Sequence, residues 1–323
     1  MKNFFDLLIA ILITITALPA VILLYNRKKR KGSWEHKNKK FSLTIAMILL
    51  VGTVVIVYGS FIEPRLLIVN KKIIDLDKIE DPIQIALITD LQAGPYKKAD
   101  YTEKVVERVL KLKPDIVLLG GDHVDNNGVY DLIEIYYLKP LEKVAREIPT
   151  YAIHGNHEYG VGGGRAIYDE RHRVANVNKE VKKAFENIGI KYLVNELEEI
   201  RVKEEVFYLF GADEWWGGKK DFSQLETRQK NIPTLMFMHN PAAVPDIALL
   251  KNIDLALFGH THGGQIRLPF LGPLATVEYV PRQWHQGLHE YKGLKFFVTS
   301  GVGETAARAR LLNPPEITLI TLK

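Results

Sequence analysis

The 323-residue chain contains no cysteine. Disulfide frameworks, thiolate nucleophiles and cysteine-ligated zinc are therefore excluded. The absence says nothing about redox compartment. Charge is missing from two long stretches, residues 7–25 and 41–62, which are apolar throughout except for small polar residues and prolines. Basic excess is missing from most of the chain. The net charge is +5, yet residues 1–62 hold nine Lys/Arg against Asp6 and Glu35 and so carry +7, which leaves −2 for everything after. The bulk of the protein thus lacks the electrostatic footprint of a nucleic-acid binder, and no nucleic-acid partner is expected.

What is present begins with those two apolar stretches. A bilayer core takes about 20 apolar residues per helix, and each stretch has that length. A cleaved signal peptide carries its positive charge before the apolar run, whereas here the charge follows it. Residues 1–62 are therefore expected to form a membrane anchor of two transmembrane helices, about 7–25 and 41–62, joined by a basic loop, 26–40. That loop, NRKKRKGSWEHKNKK, carries eight Lys/Arg. The positive-inside rule puts it on the cytoplasmic face, which makes the chain a two-span membrane protein and leaves residues 63–323 as an extracytoplasmic domain.

Beyond residue 62, strand and helix patterns alternate. Residues 83–89, 115–119 and 150–153 read as buried strands, and 101–112 and 132–148 as helices. Residues 199–203 and 206–210 read as a hairpin, and 234–238, 254–258, 296–299 and 317–322 as further strands. The alternation argues an α/β fold. The Gly- and Arg-rich stretch 159–178 reads as a long mobile excursion.

Several strands stop and a polar residue follows. Asp90-Leu91-Gln92, Gly121-Asp122-His123, Gly155-Asn156-His157-Glu158, His239-Asn240 and Gly259-His260-Thr261-His262-Gly263-Gly264 all sit there. Ligands of α/β folds gather at such strand ends. Imidazole and carboxylate suit Zn, Mn, Fe or Ni, and the glycines let the backbone turn sharply. In this order the five segments resemble the calcineurin-like metallophosphoesterase superfamily, and GHTHGGQ resembles its bacterial membrane-associated branch. The resemblance spans roughly residues 83–317. It implies a four-layer α/β/β/α sandwich of two mixed sheets, preceded by the two transmembrane helices.

The resemblance also implies roles. Asp122 would bridge two divalent metal ions. Asp90 and His262 would complete one site, and Asn156, His239 and His260 the other. His157 would face the substrate, and a metal-bridging hydroxide would attack phosphorus. Gln92 stands where the family has histidine. It could ligate through its oxygen and favour Mn or Mg, could only hydrogen-bond, or could leave the enzyme impaired. Manganese is the expected metal, with Zn, Fe, Ni and Mg as alternatives.

Other residues admit two readings. Residues 268–274, LPFLGPL, are either ordinary packing or an apolar lip for a lipid tail. Trp215, Trp216 and Trp284 are either core or interfacial anchors. Arg308 and Arg310 are either solvated or a clamp for a substrate phosphate. His123, His154 and His172 are expected to be bland. The function implied is hydrolysis of a phosphomonoester or phosphodiester, with a lipid-linked or envelope substrate at the bilayer surface. The rival readings are a nucleotide or nucleic-acid phosphodiesterase and a non-catalytic metal-binding scaffold.

Overall fold

The computed structural model describes residues 2–126 and 132–323. The first apolar stretch lies in a helix, Lys2–Lys29, and the second in a helix, Lys39–Val57, that ends in a wide turn, Tyr58–Ile62. Both are long and apolar enough to cross a bilayer. They pack as a pair. Ala20 and Ala46 are fully buried between them, and the Thr53 hydroxyl donates to Thr16 Oγ1 at 2.8 Å. Small residues and a shared hydroxyl are what apolar helices use to associate, because oily side chains gain nothing from leaving lipid for each other. The outer faces carry exposed Leu7, Ile11, Ile15, Leu18, Ile48, Val51 and Val54.

Two six-stranded mixed sheets follow. The first sheet contains β1 (Ile68–Ile74), β2 (Ile83–Ile88), β3 (Ile116–Gly120), β4 (Thr150–Ile153), β5 (Lys191–Tyr192) and β14 (Glu316–Leu322). Its order is β1-β14-β2-β3-β4-β5. The second contains β6 (Glu196–Val202), β7 (Glu205–Gly211), β8 (Thr234–Phe237), β9 (Leu255–Phe258), β12 (Gly287–Tyr291) and β13 (Leu294–Val298). Its order is β12-β13-β9-β8-β7-β6. A small ribbon pairs β10 (Arg267–Leu268) with β11 (Gly272–Pro273).

Strands β2, β3, β4, β8 and β9 are buried on both faces, so their sequences are nearly unbroken apolar runs. Alternation still assigns each side chain to a layer. Ile83, Ile85 and Leu87 of β2 point between the sheets, where they meet Phe207, Leu235, Leu255 and Phe297. Ala86 and Ile88 of the same strand point outward beneath the helix Ala99–Leu112, against Val105 and Val109. The outer face of the second sheet is covered by short turns carrying Val244, Ile247 and Trp284. The layers are therefore helix, sheet, sheet, helix, with the last layer thin. Trp284 is a core residue.

Two expectations change. Residues 132–148 are not one helix but three pieces, Ile133–Tyr136, Lys139–Leu141 and Glu142–Glu147. Pro140 lacks the N–H that a continuous helix needs and its ring crowds the preceding turn. Within residues 159–178 there is local order. A helical turn, Arg165–Tyr168, is followed by a tighter one, Glu170–His172, and the Gly164 N–H donates to Glu278 Oε1 at 3.2 Å.

Candidate metal centre

The carboxyl ends of β2, β3, β4, β8 and β9 converge on one point, and each delivers its motif there. The turns are tight. Asp90, Gln92, Asp122, His260 and His262 all have φ between +47° and +68°. Side-chained residues rarely adopt this left-handed region, and it costs free energy that the surrounding fold must supply. Glycines make the close approach possible. A Cβ on Gly155 would stand 2.2 Å from Asp122 Oδ1, and Gly301, at φ +66°, passes within 2.6 Å of Asp90 in the same sense.

Two sets of side chains share Asp122. Asp122, His239 and His260 offer ligand atoms within 4.8 Å of one another, and so do Asp90, Asp122 and His262; all five residues are buried. His239 Nε2 lies 3.2 Å from Asp122 Oδ2 and 3.8 Å from Asp90 Oδ1. His262 Nε2 lies 3.4 Å from Asp90 Oδ1. The far nitrogens are engaged elsewhere. His239 Nδ1 donates to the Gly120 carbonyl at 2.7 Å, and His262 Nδ1 reaches the Gly303 carbonyl at 3.3 Å. Such bonds fix the tautomer and aim the other nitrogen inward, which is how metal-binding imidazoles are oriented.

Asn156 donates its Nδ2 to the Val161 carbonyl at 2.5 Å. Its Oδ1, Gln92 Oε1 and His260 Nε2 are buried without a hydrogen-bond partner among the described residues. Buried polar atoms are normally satisfied, so orphaned acceptors at a cluster of acids and imidazoles fit a site built for cations. Gln92 also donates Nε2 to Asp122 Oδ2 at 2.9 Å. His157 stands at the edge. Its backbone N–H donates to Asp122 Oδ1 at 2.9 Å and its Nδ1 to the Asp125 carbonyl at 2.5 Å. Its Nε2 is 3.8 Å from Asp122 Oδ2.

The charges are strongly coupled. Burial pushes the Asp122 carboxyl up, but His239 and His157 outweigh it and hold Asp122 well below the usual carboxylate range. Burial works against protonation of His239, yet Asp122 beside it raises His239 well above the imidazole range. Burial, with His239 nearby, keeps His260 far below that range, and burial lowers His262. His157 is raised; burial opposes this, and Asp122 and the Asp125 carbonyl prevail.

The structure also brings to the centre residues to which the sequence reading gave no role there. Glu158 is fully buried, and its carboxylate accepts the N–H groups of Asp122, His123, Val124 and Gly155. It thereby ties the β3 and β4 loops into one unit. The only signal in the sequence is its place as the fourth residue of Gly-Asn-His-Glu. Trp216 is half-buried and lines the cleft, its ring edge-on to His260 with centroids 4.6 Å apart. Asn313 donates its Nδ2 to the His262 carbonyl at 2.6 Å.

Arg310 is no phosphate clamp. It is fully buried, and its guanidinium donates to the carbonyls of Ser300, Gly301, Gly303 and Asn313. With those donors used, it props the loop that touches Asp90 through the Gly303 N–H. His154 bonds the Tyr192 hydroxyl at 2.8 Å, and His123 bonds the Ile153 carbonyl at 2.9 Å. Both serve packing. His172 pairs with Asp169 at 3.2 Å on the surface.

A cleft of about 370 Å³ opens above the cluster. Its lining includes polar Asp122, Asn156, His157, His260 and His262 and apolar Ile266, Leu274 and Val277. The β10–β11 ribbon runs between Ile266 and Leu274 and holds Phe270 and Leu271 out in solvent.

Comparison with known proteins agrees with this geometry. A family model described as calcineurin-like phosphoesterase matches residues 83–264. "Phosphodiesterase YaeI" of Escherichia coli K12 is 29% identical over 75% of this chain and 82% of its own length. A bovine "Transmembrane protein with metallophosphoesterase domain" is 25% identical over 94% of this chain and 67% of its own. Among solved structures, a dimetal phosphatase from Danio rerio aligns with 70% of this chain and 90% of its own, at 13% identity and a TM-score of 0.41. With the family match covering more than half of the chain, this protein belongs to the calcineurin-like phosphoesterases, a family that uses two divalent metals, and it is a phosphoric ester hydrolase.

Proposed function

We propose that the chain is a membrane-anchored two-metal phosphoesterase whose substrate is a lipid-linked phosphoester at the bilayer surface. The observation that carries the reading is the pair of ligand sets sharing Asp122 beside a cleft whose lining also includes apolar side chains. Asp90, Asp122 and His262 would hold one cation, and Asp122, Asn156, His239 and His260 the other. Gln92 steadies the shared carboxylate through Nε2 and has Oε1 to offer a cation. Manganese suits this oxygen-rich set. Two cations bound by these residues would supply electrophilic charge for a phosphoester and would acidify a water.

The chain's own groups do the rest. Asn156 contributes a neutral oxygen, so the site keeps positive charge for an anionic ester. His157, anchored through Nδ1 on Asp125, presents Nε2 toward the cleft. The oxygen of water adds to phosphorus and releases one proton to solvent, the bond to the leaving oxygen breaks, and that oxygen takes the proton held at His157 Nε2, which solvent then replaces. Ile266, Leu274 and Val277 would receive an apolar tail. The name of the Escherichia coli relative supports a diester.

Residues 1–62 would anchor the protein, as the bovine relative's name also suggests. The basic loop 26–40 would face the cytoplasm and residues 63–323 the outside. Testing takes chromogenic mono- and diesters and extracted lipids, with Mn, Zn, Ni and Mg, in the full chain and in Asp122→Asn. Loss of the shared carboxylate should lower hydrolysis on the order of a thousandfold, since charge stabilisation worth several kcal/mol is at stake. Undiminished hydrolysis in Asp122→Asn would refute the centre. A reporter fused after Lys323 and active only in the cytoplasm would refute the orientation.

A further inference from the structure

A second cavity, of about 310 Å³, lies where the second apolar helix meets the catalytic part of the chain. Its walls include Phe61 and Arg65 from the end of that helix, Asp100 and Lys104 from the start of the helix Ala99–Leu112, and Lys97, Glu304 and Arg308 from loops. Four cations line it against two carboxylates. One of each is already spoken for: Lys97 and Glu304 are buried together, with Nζ 3.1 Å from Oε2. Arg308 is sandwiched between the rings of Phe61 and Tyr96, at 4.7 and 4.9 Å, and reaches Asp6 of the first helix at 3.4 Å. Its Nε is buried with no hydrogen-bond partner among the described residues. Arg65 and Lys104 are exposed and use single donors, Arg65 on the Phe61 carbonyl at 3.0 Å and Lys104 on the Arg65 carbonyl at 2.6 Å. Their other donors and their charges are not cancelled by any carboxylate in the wall except Asp100.

If the two helices span the bilayer, this cavity sits at head-group height, because its wall is the last turn of one span and its neighbour Asp6 begins the other. That placement rests on the membrane part of the proposed function, though not on which face is outside. A cationic cavity at this height, with an aromatic ring in its wall, meets one abundant ligand chemistry: the phosphate of an anionic lipid. We infer that Arg65, Lys104 and Arg308 form a binding site for the head group of an anionic phospholipid, separate from the metal centre. Arg65 and Lys104 give the charge, Arg308 supplies the fixed, stacked guanidinium, and Phe61 faces the acyl chains. The site adjoins catalysis without joining it. Thr305, Ala306 and Ala307, between Glu304 and Arg308, line the metal cleft. A lipid held here therefore borders the cleft where a membrane substrate would enter.

The test uses the full chain in nonionic detergent, with EDTA present to silence the metal centre. Short-chain phosphatidylglycerol and phosphatidylcholine of equal chain length are titrated in separate arms, and bound lipid is counted by native mass spectrometry. Phosphatidylglycerol should bind at least several-fold more tightly. Arg65→Gln with Lys104→Gln should weaken it by roughly tenfold, as expected for two head-group cations removed. The same double variant should hydrolyse a soluble chromogenic ester at the normal rate once Mn is restored. That arm reads the proposed function independently of this one. No preference between the lipids, or a preference that survives the double variant, would overturn the site. Displacement of phosphatidylglycerol by inorganic phosphate at equal concentration would show a free-anion site and overturn the lipid assignment.

Discussion

Gln92 concentrates the chemistry of the centre into one amide. Nε2 holds Asp122, and Oε1 is buried without a hydrogen-bond partner among the described residues. Whether Oε1 meets a cation or the amide only orients the shared carboxylate through Nε2, removing the amide loosens a ligand. Gln92→Leu should weaken binding of one of two metal equivalents by about 10- to 100-fold, the usual effect of losing a group that orients a metal ligand. Isothermal titration against Mn in the full chain checks it, and two unchanged equivalents would exclude both roles. Protonation sets the pH dependence. In chelator-treated protein, Asp122 keeps His239 protonated well above the imidazole range. A cation must displace that proton, so metal affinity should rise as pH rises from 6 to 8 and fall as the medium is acidified. Affinity that is flat across this range would show His239 already neutral and Asp122 paired otherwise.

At the scale of elements, legibility followed how local the cause was. Strands β2, β3, β4, β8 and β9 were readable because each is a short, doubly buried apolar run with a polar stop. The helix break at Pro140 is a local signal that the apolar spacing of 132–148 concealed. β1 and β12 were missed, since their solvated positions carry Asn70, Lys71, Lys72, His289 and Glu290, which blur any apolar run. The ligand-type residues stood out by chemistry and order. What supports them did not, because support is a matter of tertiary contact. Nothing near Arg310 in the sequence shows that four carbonyls enclose it. Glu158 makes the point testable. Its carboxylate ends four N–H groups from two separate loops. In Glu158→Ala those donors lose their acceptor in a dry interior, at a cost of about 3 kcal/mol or more. Thermal unfolding should therefore drop by roughly 6–12 °C for a domain of this size. A shift under one or two degrees would mean that water replaces the carboxylate.

Across the whole molecule, the apolar helices and the metal cluster are physically joined. The Arg310 N–H donates to the Gly59 carbonyl, and Lys97 Nζ donates to the Pro64 carbonyl at 2.5 Å. Glu63, buried just past the second apolar helix, accepts the Asn313 N–H at 2.5 Å. Asn313 in turn holds the His262 carbonyl and accepts from the Ser300 hydroxyl at 3.1 Å. One side chain thus stands between the end of an apolar helix and a candidate metal ligand. Asn313 is buried, and its position depends on being satisfied at each of these atoms. Glu63→Leu removes one acceptor and leaves the Asn313 N–H unpaired, a penalty of about 1–3 kcal/mol. Part of that penalty should be relieved by a shift of Asn313, which would release the His262 loop. Metal affinity should then fall several-fold although Glu63 touches no ligand, and Glu63→Gln, which keeps an acceptor oxygen, should restore it. The comparison belongs in the full chain in detergent, with unfolding temperature measured beside metal titration. A loss of stability with metal affinity intact would show that Asn313 is held by Ser300 and His262 alone. The apolar helices would then tether the catalytic part without shaping its site.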